Sequence, residues 1–477
     1  MSKPGASVEA SGRAVAEPRL SGRLGRMSLQ RQVAVLAIWP LLEQVLAFSV
    51  GMTDLTIAGR MVGGVDRVAV LDALGLGGYV AWFFNILQGA VATGVMALVA
   101  RAVGGRDRKL AHRGLGQGVW LGFAAGCLSW LMLVVGLGAL IDWIGLGPLA
   151  SDKAEVYLQI LARSGPFSGI LFAVNAALRG AGDTRTPFVS MLVVNGVNIV
   201  ASVTLVFGPG HFGGHGIAGI AWGTFIGWGA GLVAVAWMLG RRGRADEESL
   251  SWRDAAFGPD FDTMKRILRV GAPQALEIAG MWGIHALGVR IIAHLPQKGV
   301  LGAHILAIRI ESMSFLPGFA IGTAAAALAG QYLGAGSPNQ AVRAVRVAWR
   351  WSVVLMTSIG LVILYWRREL IGLLAPGSEL HLQLAAPLLV VTAFTQPLFA
   401  TCIVMKTSMR GAGATRMVMT RSFASMLVFR VLVLWWAVAN LGIGLTGVWI
   451  IFGCDMLVQS IMFTWLHFRG TWLGVSV

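Results

Sequence analysis

The 477-residue chain is 56% hydrophobic and only 13% charged, with a mean hydropathy of +0.72. Soluble domains carry about 25% charged residues, so lipid must solvate most of this chain, and an ordinary soluble domain is excluded. The net charge of +16 raises nucleic acid as a partner, but the basic residues sit at the ends of apolar stretches and no nucleic-acid-binding module is present.

Residues 1–30 are polar and dotted with Lys3, Arg13, Arg19, Arg23 and Arg26. They contain no apolar core of a signal peptide and are expected to form a disordered, membrane-adjacent cytoplasmic tail. Six apolar stretches follow, at 33–59, 68–100, 114–141, 154–178, 187–208 and 216–240. Each is long enough to span a bilayer, which takes about 20 residues. The polar connection 241–264 comes next, and then six more stretches at 267–295, 301–333, 345–366, 382–408, 418–440 and 443–467. The expectation is an all-α membrane protein of 12 transmembrane helices. Its parts are a tail (1–30), a six-helix bundle (31–240), a cytoplasmic linker (241–264) and a second six-helix bundle (265–470). Pro40, Pro166, Pro273, Pro317 and Pro397 fall inside spans, where each removes a backbone donor and bends the helix. Cys127, Cys402 and Cys454 are far apart in apolar stretches and form neither a disulfide framework nor a metal site, so no cofactor is expected.

Lysine and arginine set the orientation. One side collects the tail and the turns with Arg101, Arg106, Arg108, Lys109, Arg179 and Arg185, and later those with Arg343, Arg410 and Arg416. The other side has turns such as GPGHFGGHG (208–216) without Lys or Arg. Both termini are therefore expected in the cytoplasm.

The two groups of spans are related in sequence. LVARAVGGRDRKLAHR (98–113) aligns with LAGQYLGAGSPNQAVR (328–343), matching Leu98 to Leu328, Gly104 to Gly334 and Arg113 to Arg343. LRGAGDTR (178–185) aligns with MRGAGATR (409–416) at nearly the same offset, and Pro166 with Pro397. Each repeat has an even number of spans, so both enter from the same side and are related by a pseudo-twofold along the membrane normal. That geometry sets a cavity between two rocking bundles.

ALRGAGDTRTP (177–187), the block AHILAIRIESMSFLPGFAIGTAAAALAGQYLGAG (303–336) and the opening Pro40-Leu-Leu-Glu-Gln with Thr53-Asp54 resemble the multidrug and toxic compound extrusion (MATE) family. The resemblance covers about residues 30–470. It implies a secondary active antiporter of a bacterial inner membrane that exports amphipathic organic compounds, drug-like or metabolite, in exchange for H⁺ or Na⁺. The expected partners are the small organic substrate and the lipid bilayer, with the chain acting as a monomer and no nucleic acid involved.

Ionisable groups inside spans are functional candidates because burying them is expensive. The resemblance implies cation coupling for Asp54. Glu43 precedes it by eleven residues, close to three helical turns, so both carboxylates lie on one side of the first span. Glu43 is a second relay, a substrate contact or a packing hydrogen bond. Asn175, Asn195 and Asn198 ligate Na⁺, position the Asp54 carboxyl or act as interhelical hydrogen-bond glue. Asp183 is expected to cap the turn beside Arg179 and Arg185.

In the second half, some family branches carry an acid about two turns after the proline of the seventh span. Here that position is Met281, and Glu277 one turn earlier is the candidate substitute. The stretch 395–411 has no acid and holds Lys406 where the first repeat has Asn175. Lys406 either snorkels beside Arg410 or pairs with Glu277 or Glu311. These departures favour coupling through the first half, with H⁺ preferred to Na⁺. Trp282 and Phe399, with Trp39 and Phe315, are candidate cavity aromatics. A lipid or lipid-linked precursor flippase of a related superfamily is the alternative, kept open by the buried Lys and Arg. An enzyme is not expected, because DDxxD, HExxH and GxSxG patterns are missing.

Overall fold

The computed structural model describes residues 20, 22–61, 65–145, 147–210, 213–241 and 249–475, and all regular structure among them is helical. After one turn, α1 (Gly22–Gly25), the first half runs through α2 (Leu29–Met61), α3 (Val65–Gly104), α4 (Arg108–Ile144), α5 (Pro148–Ala162), α6 (Gly165–Gly180), α7 (Arg185–Phe207) and α8 (Gly216–Gly240). The second half runs through α9 (Phe261–Ala293), α10 (Val300–Gly334), α11 (Pro338–Tyr365), α12 (Arg367–Leu374) and α13 (Glu379–Gly411). It ends with α14 (Thr415–Met426), α15 (Leu434–Leu441) and α16 (Leu445–Arg469).

Ten helical stretches are long and apolar enough to cross a membrane, and α5 with α6 adds one span bent by 48°. The 33-residue α2, with Pro40 in its interior, brings the spans to twelve. The bend between α5 and α6 falls at Arg163–Ser164, just before Pro166. The proline sits in the first turn of α6, where its missing N–H has no intrahelical partner to lose. The eleventh span changes character midway. A π-helical stretch, Leu427–Val433, separates α14 from α15 and carries Arg430. Such widenings cluster at functional sites.

The alternating run of spans gives the molecule two ends. One holds the start of α2 and the turns after α3, α6, α10 and α13, and is called the basic end after its Lys and Arg. At this end the halves interlock. Val33, Leu36 and Ala37 of α2 are buried in the core of the second half, and Ile267 of α9 is buried in the core of the first. At the opposite end each half keeps its own core, one around Tyr157 and Leu158, the other around Leu388 and Trp449. The halves therefore join at the basic end and part toward the other.

The repeat motifs form the joint. Arg101 and Gln331 occupy equivalent positions in the two repeats. Arg101 donates to the Ala412 carbonyl at 2.8 Å, and Gln331 donates to the Gly180 carbonyl at 2.8 Å. Each thus caps the RGAG turn of the opposite half. The chains pass so closely that a Cβ on Gly104 would lie 1.9 Å from the Gln331 carbonyl oxygen, and one on Gly334 2.1 Å from that of Arg101. Small residues permit such backbone approach between membrane helices. The same logic acts where α3 crosses α9, with Gly94 against Ile267 and Gly271 against Ala90.

The flanking polar segments are packed where the structure describes them. The expected tail lies outside the described residues up to Arg19, but Leu20 is buried and the Gln32 amide donates to the Leu24 and Met27 carbonyls. In the linker, residues 242–248 lie outside the described residues. Residues 249–260 form a strap on α4, where the Gln117 amide donates to the Ala256 and Gly258 carbonyls and Arg108 pairs with Asp254 at 3.0 Å. Asp260 then caps α9 by accepting from Thr263.

Candidate functional site

The RGAG turns carry more than the joint. In the first half Arg179 donates to both oxygens of Glu43, at 2.6 and 2.8 Å. In the second half its repeat equivalent, Arg410, pairs with Glu277 at 2.8 Å. Each half thus ties the end of one span to a carboxylate on its proline-bent first span. The second clamp carries an extra cation, since Lys406 lies 3.9 Å from the same Glu277 and 5.2 Å from the Phe463 ring. Of the readings open for Lys406, pairing with Glu277 is the one found. Glu43 serves a clamp rather than standing free beside Asp54.

Asp54 sits further along α2, eleven residues toward the opposite end. Its Oδ1 is buried without a hydrogen-bond partner among the described residues. The asparagines occupy the interior of the same bundle. Asn175 accepts from the Ser190 hydroxyl at 3.2 Å, Asn198 donates to Thr224 at 2.9 Å, and Asn195 has a buried Nδ2 without a partner. Asn175 and Asn198 thus make interhelical bonds, while Asn195 retains donor capacity. Asp183 caps the start of α7 by accepting from Thr186 at 3.0 and 2.6 Å. Its repeat equivalent is Ala414, which has no side chain to do so.

The remaining candidates lie in the second half. Met281 is 40% exposed. Trp282 packs edge-on against His285 at 5.4 Å, and Phe399 stacks on Phe315 at 4.7 Å. Arg430, placed by the π-helical stretch, donates from Nε to the fully buried Asp455 at 2.5 Å. Asp455 also accepts from Ser425 at 2.6 Å and Gln459 at 2.8 Å, so all its nearby donors are matched. His304, Glu311 and Arg430 line a cavity with His285 and Phe399. His304 was not singled out from sequence. Lone helical histidines carry no periodic signal, and only the tertiary fold brings α10 to α16.

Among the described residues four interior cations are matched to acids, Arg179 to Glu43, Arg410 and Lys406 to Glu277, and Arg430 to Asp455, while Arg101 at the joint is held by the Ala412 carbonyl. Asp54 in the first half and Glu311 in the second are interior carboxyl groups that make no ion pair among the described residues. Among the described residues no group of His, Cys, Asp and Glu is arranged to hold a metal ion.

Known proteins share both this architecture and this duplication. The MatE family profile matches twice, over residues 41–204 and 273–436. A probable multidrug resistance protein NorM of Thermotoga maritima is 25% identical over 447 residues, covering 93% of each chain. A second protein of that description, from Bradyrhizobium diazoefficiens, is 27% identical over 436 residues, 89% of this chain and 90% of its own. Among solved structures, an outward-facing multidrug resistance MATE family transporter of the MOP superfamily superposes with a TM-score of 0.84 at 20% identity, over 96% of this chain and 99% of its own. A MOP superfamily transporter from Pyrococcus furiosus, described as having a binding pocket of reversed polarity and a different function, reaches 0.85 at 20% identity over 96% of this chain and all of its own. With both halves matched, the chain belongs to the MatE family of multidrug and toxic compound extrusion transporters.

Proposed function

We propose that the chain is a secondary active antiporter that exports amphipathic organic compounds in exchange for H⁺, with Asp54 as the coupling group. The observation that carries the reading is the buried Asp54 oxygen without a partner among the described residues, in a bundle where Glu43 is held by an arginine. An acid so placed is neutral when it holds a proton and demands a cation when it releases one. It can therefore trade a proton for a cationic cargo or for a change of state. Na⁺ is the less favoured ion, because the Asn175 amide oxygen already accepts from Ser190 and the second-half acids Glu277 and Asp455 are held by Arg410 and Arg430.

The halves, joined at the basic end and parted at the other, supply the two-state element of alternating access. The basic end is the cytoplasmic one by its Lys and Arg, both termini lie inside, and the membrane is a bacterial inner membrane. Pairing of Arg179, Lys406, Arg410 and Arg430 with acids argues against the alternative of a flippase for lipid-linked phosphates, which would need free positive charge in the cavity.

Purified protein in proteoliposomes tests the ion. With ethidium as cargo, an imposed pH gradient is expected to drive transport and a Na⁺ gradient alone is not. Transport driven by Na⁺ alone would overturn the assignment.

A further inference from the structure

The segment ahead of α2 is polar in sequence, yet it is packed against the joint between the halves. Leu20 is 8% exposed and lies in the core that Val33 and Leu36 share with the second half, and Leu24 packs against the same core. Gly22 has φ of 63°, and a Cβ on Gly25 would stand 1.8 Å from the Leu20 carbonyl oxygen. The chain therefore folds back before α2 through a turn that glycine permits. Arg23 and Arg26 are exposed, whereas Leu24 and Met27 are half-buried.

Gln32 fixes where this turn sits. Its buried amide donates to the Leu24 and Met27 carbonyls at 2.9 and 3.1 Å, and its oxygen accepts from the Tyr332 hydroxyl of α10 at 2.9 Å. Leu24 is thereby held against the RGAG turn of the first half. A Cβ on Gly182 would meet Leu24 Cδ1 at 2.9 Å and Gln331 Nε2 at 3.2 Å. The same Gln331 amide donates to Gly180 and so ties the second half to the first. Leu24 thus touches the turn of one half and the core of the other beside the bond that joins them. When the halves part at the basic end it cannot keep both contacts, and giving up either one exposes apolar surface.

We propose that Leu20 and residues 22–28 form a latch that holds the basic end shut, and that withdrawal of Leu24 from Gly182 is a step in opening toward that side. Leu24 makes the closing contact and Gln32 positions it. The latch lowers the population of the state open at the basic end, and with it the apparent affinity for cargo arriving there. The inference rests on the alternating-access reading, but not on Asp54 or on which ion is exchanged.

The test is the distance across the basic end, read by pulsed electron spin resonance on the full-length protein in lipid nanodiscs with no ion gradient. Spin labels are placed at Lys109→Cys and Arg343→Cys, exposed positions near the starts of α4 and α11, in a chain whose Cys127, Cys402 and Cys454 are replaced by alanine. Leu24→Ser is expected to raise the long-distance population roughly tenfold, the scale of losing a leucine contact. Gln32→Leu should shift it in the same direction. Leu24→Met, which keeps the apolar contact, and Arg26→Gln, on the exposed side, should match the parent. Gly104→Ala, which overpacks the joint itself, is the control for opening. A longer distance in Gly104→Ala but not in Leu24→Ser would overturn the latch and leave alternating access standing. A lowered thermal midpoint of Leu24→Ser with unchanged distances would make Leu24 a packing residue only and overturn it too. So would a response to Arg26→Gln as large as that to Leu24→Ser. If no variant lengthens the distance, the latch and the alternating-access reading both fall.

Discussion

The two halves of this transporter share a sequence pattern, but they keep it only at the basic end. There Arg101 and Gln331 cap each other's RGAG turns, Gly104 and Gly334 interleave, and Arg179 and Arg410 each hold a carboxylate. Toward the opposite end the halves diverge. The first half leaves an Asp54 oxygen without a partner among the described residues, whereas the second holds the Arg430–Asp455 pair, His304 and Glu311. Packing has symmetric requirements at a joint between two bundles, and a change on one side must be met on the other. Chemistry has no such requirement, so the membrane interior is where the duplicates were free to separate.

The comparison can be broken in several places. The largest effect is expected from Asp54→Asn, which should reduce drug efflux from a pump-deleted bacterial strain to background while the protein stays folded in the membrane. Efflux that stays normal would move coupling to the second half.

Next is the joint. Gly104→Ala places a Cβ where the Gln331 carbonyl oxygen stands. Overpacking of this kind costs about 1–3 kcal/mol, which would bias the molecule away from the state closed at the basic end by roughly 5- to 150-fold. Spin labels across that end should report the shift, and transport should fall with it. Gly196→Ala, with nothing within 4 Å of the added carbon, is the control and should behave as wild type.

The two clamps should then differ in size. The Glu277 side chain is 6% exposed and faces two cations, while Glu43 is 18% exposed and faces one. Removing one partner of a buried pair costs about 3–5 kcal/mol. Glu277→Gln is therefore expected to lower the thermal midpoint in detergent more than Glu43→Gln. Equal losses would mean that Lys406 gains nothing from Glu277.

A smaller effect concerns the turn after α3. Arg106 has φ of 58°, where its repeat equivalent is Gly336 with φ of 70°. A side chain in the left-handed region costs about 1 kcal/mol, so Arg106→Gly should stabilise by about that amount in thermal unfolding. Smallest is the cap of the strap. Thr263 holds the Asp260 carboxyl below the usual carboxylate range through its backbone and side-chain hydrogen bonds. That contribution is present above the unfolded carboxylate pKa and is lost as pH falls through the lowered folded value. Asp260→Asn should accordingly flatten the acid limb of stability against pH and leave neutral-pH transport unchanged.

Much of this architecture was legible in the residues. Apolar runs marked the spans to within a few positions, because lipid leaves only helices able to satisfy the backbone. The offset matches marked the duplication, and those motif residues prove to be the joint itself. The bend in the fourth span was signalled by Pro166, though it falls at Arg163–Ser164, since proline tolerates the first turn of a helix. The π-helical stretch had no signal, being a matter of how Arg430 reaches Asp455 across two spans. For the site, the pairing of Lys406 with Glu277 was among the alternatives the sequence left open. His304 was invisible, because its hydrogen bond comes from Trp449, 145 positions away.

The central claim is that the proton crosses through the first half. The most direct measurement is proton movement itself, read by a pH-sensitive dye trapped in proteoliposomes while ethidium is supplied on one side. Wild-type protein should show cargo-dependent proton movement, and Asp54→Asn should show none, with Glu311→Gln still showing it at saturating cargo. Cargo-dependent proton movement that survives Asp54→Asn would contradict the account.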